Sequence, residues 1–224
     1  MKIYLDSVGC RLNQAEIEQY ARQFRAAGHA LTPHADEADL VVINTCAVTS
    51  AAVSDSRQKS RQAARRGAGQ IVLTGCWSTL QPDEAATLPG VSRVIANLNK
   101  DRLVQEVLDN LDFDLEPLER QPVPGPRLRT RAFIKAQDGC DNRCTFCITT
   151  VARGAGKSRP VDEILADIQG ASDAREIVLT GVHLGSWGQD TSPRQTLGWL
   201  VRQVLENSDT PRIRLSSLEP WDLD

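Results

Sequence analysis

Cysteine is the residue through which this 224-residue chain could do chemistry, and its six copies fall into two triplets. The tighter triplet lies in Cys140-Asp-Asn-Arg-Cys144-Thr-Phe-Cys147, a C-x3-C-x2-C run directly after Gly139. Structural zinc takes four ligands, usually from paired C-x2-C units. No fourth cysteine stands near this run, and the three histidines, His29, His34 and His183, are remote in sequence. Three soft thiolates without a fourth ligand suit an iron–sulfur cluster that keeps one iron open. An open iron can take a small molecule through its polar groups.

The second triplet is dispersed. Cys10, Cys46 and Cys76 each close an apolar run: KIYLDSVGC over 2–10, DLVVINTC over 39–46 and QIVLTGC over 70–76. The second and third runs are β-branched and nearly unbroken, as strands buried on both faces of a parallel sheet are. Residues 14–27 and 50–66 read as helices long enough to be crossovers. A fourth run over 92–96 and a helix around 100–111 complete the layer. Ligands of open α/β sheets sit beyond the carboxyl ends of the strands, so parallel strands would bring all three thiols to one edge. A single free cysteine is often a small buried hydrophobe. Three at equivalent places in repeated units read instead as a second metal or cluster site.

Composition frames this reading. Apolar residues make up 41 % of the chain and charged residues 25 %, with 15 Gly and 11 Pro, which describes a globular protein of one or two domains. Aromatics are only 4 %, so the core must rest on Leu, Val, Ile and Ala. A net charge of −3 and a pI near 5.7 give no global sign of nucleic-acid binding, so phosphate contacts would have to come from local patches. The chain lacks a signal-peptide pattern and any apolar run near the ~18 residues of a membrane span, which predicts a soluble cytoplasmic protein with no membrane contact. Cytosolic thiols stay reduced, so disulfides are not expected.

The texture changes at Phe113, where FDLEPLERQPVPGPRLRTR carries Pro117, Pro122, Pro124, Gly125 and Pro126. Proline cannot sit inside a helix or a central strand. The expected organisation is an N-terminal domain over 1–112, a linker over 113–130 and a second domain over 131–224. In the second domain, strands at 132–137, 176–182 and 212–218 alternate with helices at 161–168 and 197–206. Three βα units cannot close a barrel, and the sequence stops shortly after a strand, so this domain is expected to be incomplete.

The C-x3-C-x2-C run, preceded by RAFIKAQDG and with Phe146 before its last cysteine, resembles the cluster loop of radical S-adenosylmethionine enzymes. The blocks VGCRLNQAE, INTCAVT and TGC upstream, with ARGAGKSRP, TGVHLGSWG and RLSSLEPWD downstream, narrow the likeness to the methylthiotransferases. The run DGCDNRCTFC…ARG is most similar to the branch acting on N6-threonylcarbamoyladenosine in tRNA. The resemblance covers essentially the whole chain and departs at Thr149-Thr150, where many relatives have a proline.

The resemblance implies an α/β fold, with an N-terminal parallel α/β sheet domain followed by the first part of a radical-SAM partial (β/α) barrel. It also implies two 4Fe-4S clusters, one on Cys10, Cys46 and Cys76 and one on Cys140, Cys144 and Cys147. Phe146, Gly181 and His183 would contact S-adenosylmethionine. The implied reaction is methylthiolation of C2 of N6-threonylcarbamoyladenosine at position 37 of tRNA, with the anticodon stem-loop as substrate and a reductase as electron donor. Isopentenyladenosine in tRNA or an aspartate of a ribosomal protein are alternative substrates, and a non-catalytic iron–sulfur fragment is an alternative of another class.

Other motifs carry less. Gly154-Ala-Gly-Lys157-Ser158 lacks the first glycine of a phosphate loop, because Val151 stands there, so ATP binding is not expected. Arg57, Lys59, Arg61, Arg65 and Arg66 share one predicted helix. Residues 127–159 hold eight Lys or Arg against Asp138 and Asp141. Both stretches are candidate phosphate-contacting surfaces.

Overall fold

Apolar runs and the helices between them build a parallel five-stranded sheet in the first half of the chain. The computed structural model describes residues 1–109, 121, 123, 131–142 and 144–222. They divide into two compact units, one built on residues 1–109 and the other on 131–222. The proline-rich stretch 113–130 lies outside the described residues except for Gln121 and Val123. Those two return to the first unit: Arg25 donates to the Gln121 carbonyl at 2.8 Å, and Val123 packs on the apolar core.

The first unit contains β1 (Lys2–Ser7), α1 (Arg11–Ala26), β2 (Ala30–Leu31), β3 (Leu40–Thr45), α2 (Ser50–Arg65), β4 (Gln70–Gly75), α3 (Cys76–Leu80), α4 (Pro82–Ala86), β5 (Val91–Ile95) and α5 (Leu103–Val107). The sheet order is β2-β1-β3-β4-β5, and every pair is parallel. All six residues of β3 are buried, as its unbroken apolar run requires. Ile17, Tyr20, Ala21 and Phe24 put one face of α1 onto the sheet at helical spacing, together with Leu103 and Val104 of α5. Ala63 of α2, Trp77 of α3 and Ala85 of α4 cover the other face. The Thr49 hydroxyl caps α2 by accepting from the Ala52 N–H at 3.1 Å. From β1 the chain passes to β2 on one side, then back to β3 on the other. The carboxyl ends of β1 and β3 therefore flank a topological switch point, where open α/β sheets bind ligands.

The second unit contains β6 (Arg131–Lys135), β7 (Gln137–Asp138), α6 (Ile148–Arg153), β8 (Lys157–Ser158), α7 (Val161–Gln169), β9 (Glu176–Thr180), α8 (Leu197–Asn207) and β10 (Ile213–Leu215). Its parallel sheet runs β10-β9-β6, and β7 pairs antiparallel with β8. Ile164 and Ile168 of α7 and Leu200 and Val204 of α8 pack on Ala132, Ile134, Ile177 and Leu179 of the sheet. Trp187 stacks on Trp199 with 6.1 Å between ring centroids. The chain is thus α/β throughout its described residues, and none of their helices is long and apolar enough to cross a membrane.

Candidate functional site

Strands β1, β3 and β4 are neighbours, with Ser7 opposite Asn44, Asn44 opposite Thr74, and Thr45 opposite Gly75. Cys46 and Cys76 therefore follow directly on a paired position at the carboxyl edge. Cys10 lies three residues beyond the end of β1, at the N-cap position of α1. Gly9, at φ +93°, has no room for a side chain, because a β-carbon there would lie 2.6 Å from the Cys46 sulfur. The glycine is what allows the β1 loop to lie against Cys46 at the switch point. Gly75, at φ +96°, is similarly confined by the Thr45 backbone and the Asn44 side chain.

A polar network braces this edge. The Asn13 amide donates to the Val8 carbonyl at 2.8 Å and the Thr45 carbonyl at 3.1 Å, and its oxygen accepts from the Cys10 thiol at 3.6 Å. The Asn97 amide donates to the Cys76 sulfur at 3.7 Å, and the Cys46 N–H donates to the Ser56 hydroxyl at 3.2 Å. Asn44 donates to the Glu16 carboxylate at 2.8 Å, and Glu16 pairs with Lys100 at 2.6 Å. That ion pair is fully buried, with side chains 1 % and 2 % exposed. Cys46 and Cys76 are buried, whereas Cys10 is exposed.

In the second unit the three-cysteine loop leaves β7 through Gly139, at φ +65°, whose missing side chain leaves space for the Ala155 carbonyl. The Cys140 N–H donates to the Gly154 carbonyl at 3.0 Å, tying the loop to the chain that enters β8. Cys140 is buried, Cys144 exposed and Cys147 half-buried. Burial pushes the Cys140 thiol up, the Asn142 N–H opposes this, and the nearby Cys147, Cys144 and Asp141 push it further up. The Cys147 thiol is also raised by burial, but hydrogen bonds from Thr149 and Thr150 outweigh this and bring it below its ordinary value. Backbone N–H groups of both threonines contribute. A proline at either position would have none to give.

The structure places the other predicted site residues around this loop. Phe146 is 91 % exposed beside Cys147. Gly181 is buried against Gln137, with no room for a β-carbon beside the Gln137 Oε1. His183 hydrogen-bonds Asp222 at 3.1 Å and the Asn142 side chain at 3.4 Å. Sequence reasoning missed Asn13, Glu16, Asn44, Asn97, Lys100, Gln137 and Asp222. For two of them a signal existed: Asn13 and Glu16, three and six residues after Cys10, recur at helical spacing in VGCRLNQAE.

Both basic stretches are partly taken up in ion pairs within the fold. Arg57 pairs with Glu84 at 2.8 Å and lies over the Trp77 ring, and Lys59 pairs with Asp6 at 2.6 Å. Arg131 binds Glu176, Lys135 and Arg153 converge on Asp138, and Arg159 binds Asp167 and Glu163. These cations also serve the fold, and three of their carboxylates, Glu84, Asp6 and Glu176, lie far away in sequence, where a local charge count does not find them. Arg61 and Arg65 remain exposed on α2, Arg66 at its C-cap and Lys157 in β8. Arg127, Arg129 and Arg143 lie outside the described residues.

Among the described residues, no three His, Cys, Asp or Glu side chains lie close enough to hold a single metal ion. By their chemistry the donor sets suit an iron–sulfur cluster. Each set is three soft sulfurs at or beyond carboxyl-terminal strand ends, and the six cysteines form no disulfide.

Residues 2–96 match the Uncharacterized protein family UPF0004. The threonylcarbamoyladenosine tRNA methylthiotransferase MtaB of Chlamydia pneumoniae is 35 % identical over 220 residues, covering 96 % of this chain and 51 % of that protein. By sequence the chain is similar to methylthiotransferases over nearly its whole length. MtaB of Bacillus subtilis, also 35 % identical, is matched over 95 % of this chain and 50 % of its own length. A methylthiotransferase named for ribosomal protein uS12, RimO of a Roseiflexus strain, is 30 % identical over 91 % of the chain. The chain spans about half the length of the curated methylthiotransferases it matches. Among solved structures, the radical S-adenosylmethionine methyltransferase TsrM of Kitasatospora setae, with cobalamin and a [4Fe-4S] cluster bound, shares the fold at a TM-score of 0.56 and 13 % identity. That match covers 94 % of this chain and 54 % of TsrM.

Proposed function

We propose that the chain carries the radical S-adenosylmethionine site and the sulfur-donor site of a methylthiotransferase acting on C2 of N6-threonylcarbamoyladenosine in the anticodon stem-loop of tRNA. The observation that supports this most is the pair of cysteine triplets, each at carboxyl-terminal strand ends of its own unit. Cys10, Cys46 and Cys76 would hold one 4Fe-4S cluster, and Cys140, Cys144 and Cys147 the other. When bound, the clusters would supply the electron that cleaves S-adenosylmethionine and the sulfur that is transferred.

The chain's own residues position and shield. Phe146 offers an exposed ring for the adenine of S-adenosylmethionine to stack on. Gly181 and His183 border the same loop, His183 through the contacts developed below. Burial of Cys46 and Cys76 keeps water from the sulfur-donor side. On this reading residues 1–112 form the sulfur-donating domain, 113–130 the linker and 131–224 the S-adenosylmethionine-cleaving domain, with a cytoplasmic reductase as electron donor.

The test is a division of labour in the reconstituted protein given tRNA bearing N6-threonylcarbamoyladenosine. Cys46→Ala should still cleave S-adenosylmethionine without transferring sulfur, and Cys144→Ala should lose both. Equal loss of cleavage in the two variants would point to one shared site. The similarity to RimO favours a second reading, modification of a ribosomal-protein aspartate. Parallel assays on that protein and on isopentenyladenosine tRNA separate the substrates.

A further inference from the structure

We infer that His183 is a positioning residue whose ring, fixed by Asp222, locks Asn142 and thereby the Cys140–Cys147 loop onto the end of β9. The carboxylate of Asp222 lies 3.1 and 3.2 Å from Nε2. A carboxylate only accepts, so Nε2 carries a proton, and in the neutral ring Nδ1 is the acceptor. The side-chain amide of Asn142 stands 3.4 Å from Nδ1 and supplies the matching N–H. The backbone N–H of Asn142 in turn donates to the Cys140 sulfur at 3.4 Å. The relay from Asp222 through the imidazole to Asn142 therefore ends one hydrogen bond from a predicted cluster ligand.

The imidazole has little freedom to do anything else. Its backbone N–H and that of Val182 both donate to Gln137 Oε1, at 3.0 and 2.9 Å. The Gln137 amide donates to the Asp138 and Gly139 carbonyls, each at 2.7 Å, so one buried glutamine fastens the same loop at its base. The Ser186 hydroxyl holds the His183 carbonyl at 2.8 Å. Asp222 is itself oriented by the Glu219 N–H at 2.7 Å. Gly185 makes the approach possible, because a β-carbon there would overlap the Asp222 carboxylate. The loop is thus clasped at two points, Gln137 at its start and His183 at its middle, and both connect it to β9.

The consequence for a cluster rests on the proposed function, but the clasp is tested on the metal-free full chain. Hydrogen exchange of residues 139–147 is followed by mass spectrometry, with β6 amides as the fold control. His183→Ala and Asp222→Ala should speed exchange of the loop about fivefold and leave β6 unchanged. Asp222→Asn, whose side-chain oxygen still accepts from Nε2–H, should stay near wild type, and Gly185→Ala should behave like Asp222→Ala. After anaerobic reconstitution, His183→Ala should weaken the change that S-adenosylmethionine makes in the electron paramagnetic resonance spectrum of the reduced protein.

Wild-type loop exchange in His183→Ala would overturn the inference. If His183→Ala unfolds, shown by exchange in β6, the Asp222 pair decides: equal exchange in Asp222→Ala and Asp222→Asn would overturn it. Failure of the wild-type chain to take up iron would instead count against the proposed function, with the exchange result unaffected.

Discussion

Replacing Lys100 with Met should destabilise the first unit by about 3–5 kcal/mol. The Lys100 ammonium lies 2.6 Å from Glu16, and neither side chain is exposed by more than 2 %. Methionine keeps most of the aliphatic stem, so little of the loss comes from a cavity. The loss comes from the Glu16 carboxylate, which stays in the core without the Lys100 ammonium. Asn44 still donates to it at 2.8 Å, a bond to a charged group that contributes about 1.5–3 kcal/mol and offsets only part of the desolvation. Against a total stability of about 5–15 kcal/mol, the remaining loss is large. The double variant Glu16→Gln/Lys100→Met removes the charge while leaving an oxygen for Asn44, and should recover much of the stability. Urea unfolding read by hydrogen exchange of α1 and β3 amides isolates the first unit from the second. A loss under about 1 kcal/mol for Lys100→Met, or a double variant weaker than the single, would refute the reasoning.

Two further outcomes follow from the geometry. Gly9→Ala should destabilise the first unit by about 1–3 kcal/mol, because Gly9 has φ +93° and its added β-carbon meets the Cys46 sulfur. Thermal unfolding of the metal-free chain measures this, and an unchanged midpoint would count against close packing of Gly9 on Cys46. The Glu176 carboxyl is held below its ordinary value by its hydrogen bond from Arg214, with Arg131 and Arg212 adding to this. A carboxyl lowered on folding contributes stability above its unfolded value of about 4.3, and that stability is lost as pH falls through the lowered folded value. The second unit should therefore lose stability on acidification, and Glu176→Gln should flatten that limb in a pH series of unfolding curves.

Much of this architecture was legible in the chain. Runs such as DLVVINTC carry no polar alternation, so strands buried on both faces, and hence a parallel sheet, followed from them. The three Cys-terminated runs do end at neighbouring strands, as their equivalence suggested. What stayed hidden depends on contacts between distant residues. Lys100 meets Glu16 across 84 positions and His183 meets Asp222 across 39, and no periodicity encodes either. Arg57 and Lys59 looked like a solvent-facing basic patch because Glu84 and Asp6 lie on other elements. The two-residue strands β2, β7 and β8 and the short helices α3, α4 and α6 are too brief for a hydrophobic pattern to show, and tertiary hydrogen bonds place them.

The central claim is that each unit builds a cluster site from its own three cysteines. Anaerobic reconstitution followed by iron and sulfide analysis, with Mössbauer spectroscopy of iron-57 protein, tests it most directly. About eight irons per chain are expected, present as 4Fe-4S clusters, falling to about four when Cys140, Cys144 and Cys147 are replaced by Ala and likewise when Cys10, Cys46 and Cys76 are replaced. Zinc at about one per chain with no iron uptake, or loss of all iron from either triple replacement, would contradict it.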